Sequence, residues 1–207
     1  MEPVTWNIPV MPLRGLVVFP HMNLTFDVER RLCIAAMEKA MEAEQDIFLV
    51  TQREISEDFP GQEDLYEVGT VSHITQLLRL SPTAVRVMVE GRCRARLRRL
   101  WQTDPFLQGN VEELPETPLT DTALKAPRTE ALLRQTWGLF TQYAEMAGNV
   151  ADEIAAAVMD CRDPAYLADF ITQNIPLRHP DKINYAVKLN ERKSEMPAAG
   201  RAPRPAS

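Results

Sequence analysis

Hydrophobic positions in the first half of the chain alternate with polar positions, which is typical of half-buried β-strands. The clearest case runs from Asn23 to Val28, where Leu24, Phe26 and Val28 alternate with polar residues. The pattern predicts further strands around Ile8 and Val10, over Asp46 to Val50, over Glu67 to Leu80 and Thr83 to Trp101 as a hairpin around Ser81-Pro82, and over Phe106 to Val111. The polar stretch from Gln52 to Asp64 is expected to be a surface loop.

One segment after Glu29 has a helical period instead. Its apolar residues recur at i, i+3, i+4, i+7 and i+8, namely Cys33, Ala36, Met37, Ala40 and Met41. This spacing predicts an amphipathic helix packed on the sheet.

The second half of the chain is predicted to be a small helical bundle. The proline-rich boundary contains Pro115, Pro118 and Pro127; beyond it the helical apolar positions are Leu133, Trp137, Phe140 and Ala144, then Val150, Ile154, Val158 and Cys161, then Leu167, Phe170 and Ile171. Gly148 is expected near the end of the first helix, whereas Asp163-Pro164 and His179-Pro180 are expected to open later ones. We therefore expect a β domain at 1–116, a linker at 117–128, a helical bundle at 129–192 and a disordered tail at 193–207.

Two surfaces are candidates for binding. The first is the apolar loop from Leu16 to Met22, whose candidate contact residues are Leu16, Val17, Phe19 and Met22. The alternative, which we favour, is that this loop tucks under the sheet. Gly91, Cys93 and Ala95, on the apolar face of the second hairpin arm, leave space for a bulky group to cross that face.

The second surface is the other face of the same arm, which carries the arginine ribbon: Arg86, Arg92, Arg94, Arg96 and Arg98. Its functional interpretation is contact with the phosphates of RNA. The alternative, which we favour, is a solvated strand face paired with acids such as Glu112 and Glu113. No aromatic residues for base stacking are interleaved with these arginines.

Net charge, cysteine spacing and the absence of known catalytic motifs exclude several classes of function. The 207 residues carry a formal charge of −6, which argues against a protein built to coat nucleic acid. The three cysteines, Cys33, Cys93 and Cys161, are widely spaced, so neither a disulfide framework nor a metal site is predicted. No phosphate-binding loop, zinc-protease motif or nucleophile elbow occurs, and no cofactor is expected. The chain has no apolar stretch of membrane-spanning length and no signal peptide, so a non-catalytic, cytoplasmic protein is expected.

Several ordered motifs between Ile8 and Leu177 carry a family resemblance. They are Pro-Leu-Arg-Gly at 12–15, Tyr-Glu-Val-Gly-Thr at 66–70, Val-Glu-Gly-Arg-Cys-Arg at 89–94, and Leu-Ala-Asp-Phe-Ile at 167–171. With these motifs the chain resembles the amino-terminal substrate-binding domain of the ATP-dependent Lon proteases. The resemblance implies an α+β fold, in which a PUA-like β-rich pseudo-barrel with one packed helix precedes a small helical bundle. It also implies capture of unfolded, damaged or degron-bearing proteins and assembly into a ring with an ATPase and a Ser-Lys protease.

The chain departs from the family pattern in three places. His21 stands where members usually carry glycine, Ser81-Pro82 replaces a glycine-containing turn, and the helix expected to lead into an ATPase fails after Arg192. The ATPase and protease parts are therefore expected to be absent from this chain. The leading hypothesis is a non-catalytic module that binds unfolded proteins. The alternative is a stand-alone PUA-like module for RNA or a small molecule.

Overall fold

A computed structural model describes residues 4–114, 120–178, 180–182 and 184–185. The strands are β1 (Thr5–Leu13), β2 (Asn23–Val28), β3 (Asp46–Thr51), β4 (Val68–Ser81), β5 (Ala84–Gln102) and β6 (Leu107–Glu113); the helices are α1 (Arg31–Met41), α2 (Asp121–Leu124), α3 (Pro127–Ala147), α4 (Asp152–Asp160) and α5 (Pro164–Asn174). This α+β architecture confirms the predicted order of strands and helices. Residues 117–119, residues 186–192 and the predicted tail at 193–207 lie outside the described residues, so the domain boundaries there stay predictions.

The sheet has the strand order β2-β5-β4-β3-β1-β6, and β5 also pairs with β6. Five strands therefore close into a barrel, while β2 lies outside the closed ring. The length of β5 makes this arrangement possible, since Val85 to Glu90 pair with β2 and Ala95 to Gln102 pair with β6. The pairing of β1 with β3 is parallel, and the other pairs are antiparallel.

Two apolar clusters hold the β part together. Each of the five closed strands contributes a fully buried residue to the first, namely Val10, Phe48, Val71, Ala95 and Val111. The second lies under α1, where Cys33, Ala36, Met37 and Ala40 are buried as their helical spacing predicts. Met41, expected on the same face, is instead 38% exposed in the last turn of α1.

The helical part has its own smaller core of Leu133, Phe140, Val158 and Leu167. Gly148 ends α3 in the left-handed conformation, with φ of 64°. Asp163 caps α5, because its Oδ1 accepts hydrogen bonds from the backbone N–H of Ala165 and Tyr166, and Pro164 occupies the first turn. Both predicted helix ends are confirmed. Pro180 lies in a helical segment, but His179 is outside the described residues.

Candidate functional site

The loop after β1 is attached to the barrel by side-chain hydrogen bonds. The Thr51 hydroxyl donates to the carbonyl oxygen of Leu16 at 2.7 Å, and the buried Thr70 hydroxyl donates to that of Val18 at 2.6 Å. Gly15 reverses the chain at the start of the loop with φ of 66°. The loop therefore follows the outer surface of β3 and β4 rather than extending into solvent.

Gly91 lets the same loop cross β5 at very short range. A Cβ atom at Gly91 would lie 2.3 Å from the carbonyl oxygen of Phe19, so only glycine fits there. Backbone hydrogen bonds fix the crossing: His21 N–H donates to Gly91 O at 2.8 Å, and Gly91 N–H donates to Met22 O at 2.9 Å. The space predicted around Gly91 is thus filled by backbone. His21 has φ of 61°, in the left-handed region that favours glycine.

Burial of this loop corrects part of the sequence prediction. Phe19 is 1% exposed and Met22 is 8% exposed, which agrees with the alternative that the loop tucks under the sheet, and these two candidate contact residues are not accessible in this structure. Leu16 and Val17 are half-buried. A role of Leu16 and Val17 in binding stays a prediction. These two side chains are partly accessible without any movement of the loop.

The helical part supplies the cover over Phe19. The ring of Tyr185 meets the ring of Phe19 edge-to-face, with 6.2 Å between centroids, and the guanidinium of Arg94 lies 6.0 Å from the Phe19 ring centre. Arg94 forms an ion pair with Asp169 of α5, and both residues are buried. Burial, with the nearby carboxylate of Asp169, raises the pKa of the Tyr185 hydroxyl above its ordinary range. This buried junction joins the helical part to the β part.

The arginine ribbon is paired with carboxylates throughout. The ion pairs are Arg86 with Asp27, Arg92 with Asp46, Arg94 with Asp169, Arg96 with Glu67, and Arg98 with Glu112. The hydrogen bond from Arg86 lowers the pKa of Asp27, and that from Arg98 lowers the pKa of Glu112. This pairing supports the structural interpretation of the ribbon. Arg94 departs from it, since it is buried against α5.

Exposed apolar side chains were missed by the sequence reasoning. Leu78 and Met88 lie on the outward face of the β4–β5 hairpin and are 52% and 40% exposed, and Leu80 follows at 45%. We call these three residues the hairpin patch. Gln76 is paired with Met88 and Leu78 with Arg86, so Leu78 and Met88 are diagonal neighbours. The run Leu77-Leu78 was the signal, because two adjacent apolar residues in a strand point to opposite faces.

A second exposed apolar pair lies in the loop after β3. Ile55 is 57% exposed and Phe59 is 86% exposed. Arg14 holds this loop, since its guanidinium donates to Glu57 O at 2.7 Å and to the Asp58 carboxylate at 2.6 Å. The loop expected to be merely solvated therefore brings apolar side chains to the side of the barrel on which Leu16 lies.

Comparison with known proteins decides the family. The model of the ATP-dependent protease La (LON) substrate-binding domain matches residues 7–185. The chain belongs to the Lon substrate-binding domain family. Among full-length relatives, the Lon protease of Syntrophomonas wolfei is 39% identical over 176 residues, which cover 85% of this chain and 21% of that protein. The Lon protease of Escherichia coli is 38% identical over 176 residues, covering 85% and 22%.

Solved Lon amino-terminal domains share the fold. The N-terminal domain of Mycobacterium avium complex Lon protease superposes with a TM-score of 0.65 at 19% identity, covering 92% of this chain and all of that chain. The Lon N-terminal domain protein from Xanthomonas campestris gives 0.56 at 14% identity, covering 93% and 99%. These matches confirm the predicted fold. The chain spans about a fifth of the length of the curated Lon proteases that it matches.

Membrane-spanning helices and clustered metal ligands are both absent from the described residues. None of the helices there has the length and apolar character needed to span a bilayer. No group of three or more His, Cys, Asp or Glu residues in the same part of the chain is arranged to hold a metal ion.

Proposed function

We propose that this chain captures unfolded, damaged or degron-bearing proteins for an ATP-dependent Lon-type protease. The observation that carries the proposal is the match of residues 7–185 to a substrate-binding domain family. The exposed apolar side chains of the β part give such a domain a surface on which unfolded proteins can bind. We assign no catalysis to this region. ATP hydrolysis, peptide-bond cleavage and a cytoplasmic location are proposed for the complete protease by analogy with the family.

The hairpin patch is the proposed primary contact, and Leu16, Val17, Ile55 and Phe59 are a secondary one. Fully burying one large apolar side chain stabilises a complex by about 1.5–3 kcal/mol, so a partly exposed one contributes roughly half of that. A few such contacts give weak, reversible binding that depends on exposed apolar segments rather than on a fixed sequence. This property suits a module that distinguishes unfolded proteins from folded ones.

Fluorescence anisotropy with a labelled unfolded polypeptide tests the proposal. The double variant Leu78→Ser and Met88→Ser should weaken binding by about tenfold or more, with little effect of moderate salt. Met159→Ser on α4 is the matched control, because Met159 is 43% exposed and lies away from the β4–β5 hairpin. Unchanged affinity in the double variant would remove the hairpin patch from the site. Tight, salt-sensitive binding of an RNA oligonucleotide without polypeptide binding would overturn the function itself.

Self-association is a further part of the proposal. Leu132, Leu139 and Met146 are spaced seven residues apart on α3 and are 55%, 59% and 88% exposed. A seven-residue apolar spacing favours packing against another helix, and a second copy of the chain supplies one. Sedimentation velocity over a concentration series should show association that Leu139→Lys reduces. A monomer at all concentrations would contradict it.

A further inference from the structure

The outer edge of β2 is open. This strand ends the sheet order and pairs with β5 alone in the described part of the chain. Within those residues, no hydrogen bond outside the β5 ladder reaches the backbone of Asn23–Val28. In an antiparallel pair, every second residue turns its N–H and C=O away from the partner strand. The edge of β2 therefore presents unpaired backbone donors and acceptors.

The geometry of β2 suits pairing better than that of the other open edge. The half of β4 beyond Ile74 is also open opposite β5, but register shifts near Gln76 and Arg79 distort it. Such bulges are a device by which proteins blunt a sheet edge. By contrast, β2 keeps a continuous register with β5 over all its residues and contains no proline, glycine or lysine.

A groove of about 330 Å³ lies beside the open edge of β2. Its lining includes the apolar residues Phe26, Leu13 and Leu16, together with the charged residues Arg14, Asp27, Glu29 and Arg30. The guanidinium of Arg30 ties the groove lining to β1, because it donates a hydrogen bond to the carbonyl oxygen of Pro12 near the end of that strand. The volume falls within the usual range of about 300–1,000 Å³ for binding pockets. A preformed groove with both apolar and charged lining residues thus accompanies an unpaired backbone.

We propose that β2 receives an extended segment of an unfolded polypeptide as an added strand, with every second side chain of that segment in the groove. This inference rests on the proposed function and specifies its substrate class: segments whose apolar residues alternate with polar ones. Backbone pairing supplies hydrogen bonds that any sequence can make, and the apolar part of the groove, at Leu13, Leu16 and Phe26, favours apolar residues at alternate positions. Segments that would form strands in their folded proteins are therefore preferred over segments that would form helices.

Peptide titrations with the 207-residue chain test the inference. Two labelled peptides of about ten residues have the same composition, but their apolar residues are spaced either alternately or at helical spacing. We expect the alternating peptide to bind about tenfold more tightly. N-methylation of its backbone at one set of alternate residues should lower its affinity by roughly tenfold, whereas methylation of the other set should not, because only one set faces β2.

Hydrogen exchange measured by NMR gives a second readout that needs no variant. The alternating peptide should slow exchange at alternate amides of Asn23–Val28. Met159→Ser on α4 should leave the preference between the two peptides unchanged, and Phe26→Ala should reduce it. Equal affinity of both peptides with no effect of either methylation set would overturn the added strand while the proposed function stands. Failure of both unmodified peptides to bind would overturn the two together.

Discussion

Replacing Gly91 with alanine tests whether the loop crossing organises the β part. The new Cβ would lie 2.3 Å from the carbonyl oxygen of Phe19 and 3.3 Å from Cγ2 of Thr70. The first obstacle is backbone, so the loop must move by about 1 Å and strain both hydrogen bonds at Gly91. Overpacking costs about 1–3 kcal/mol, and each hydrogen bond contributes about 1 kcal/mol. We expect Gly91→Ala to lower the free energy of unfolding by about 2–4 kcal/mol.

Urea unfolding followed by circular dichroism measures the change. At a slope of about 2 kcal/mol per molar urea, the midpoint should fall by roughly 1–2 M. The matched control is Gly138→Ala in the middle of α3, where the built Cβ meets nothing within 4 Å. This control should stabilise the protein by about 0.5–1 kcal/mol, because alanine has the better helix propensity. A Gly91→Ala midpoint within error of the unmodified chain would refute the reasoning.

Three further predictions concern single contacts. Asp169→Ala should lower the free energy of unfolding by about 3–5 kcal/mol, because it leaves the buried Arg94 without this carboxylate. Adding Arg94→Met should recover most of that loss in urea unfolding. A double variant whose loss equals the sum of the two single losses would contradict this. The hydrogen bond from Arg86 lowers the pKa of Asp27 below its ordinary value of 3.8 in the folded protein. The ion pair therefore stabilises the folded protein above pH 3.8, and this stabilisation is lost as the pH falls through the lowered pKa of Asp27. Arg86→Met should therefore be less stable than the unmodified chain at pH 7 but not in strong acid, as urea midpoints across pH will reveal. Gln45, which follows α1, has φ of 64°, a left-handed conformation that is unfavourable for residues with a Cβ atom. Gln45→Gly should therefore raise Tm by about 2–4 °C in calorimetry. An unchanged Tm would show that the left-handed backbone does not destabilise the protein at this position.

Much of the fold could be predicted because burial on one face imposes a readable period. β2 and α1 each have one buried face, and their apolar spacing matches that burial. The burial of the Leu16–Met22 loop could not be predicted in this way, since an apolar loop has the same sequence pattern whether it is covered or exposed. Its cover comes from Tyr185 and from Asp169, and the latter lies 75 residues from its partner Arg94.

The candidate site was harder to predict than the fold. Two residues of the hairpin patch lie on β4, where apolar residues occur at both parities, so the sequence does not say which of Leu77 and Leu78 faces solvent. The open edge of β2 is a property of topology and appears only when all strand partners are known. In contrast, the sequence predicted that carboxylates on neighbouring strands pair with the arginine ribbon, and it named Glu112, which pairs with Arg98.

The pairing of β1 with β6 has a consequence for how the chain folds. Thr5 lies opposite Glu112, so β1 leaves the ribosome about a hundred residues before its second partner, β6, has been synthesised. Contacts between such distant residues slow folding, because the closure entropy is lost before the contacts form. During that interval the apolar residues of β1 and β3 are themselves exposed. A domain proposed to recognise unfolded proteins thus passes through a stage in which it resembles its own substrates.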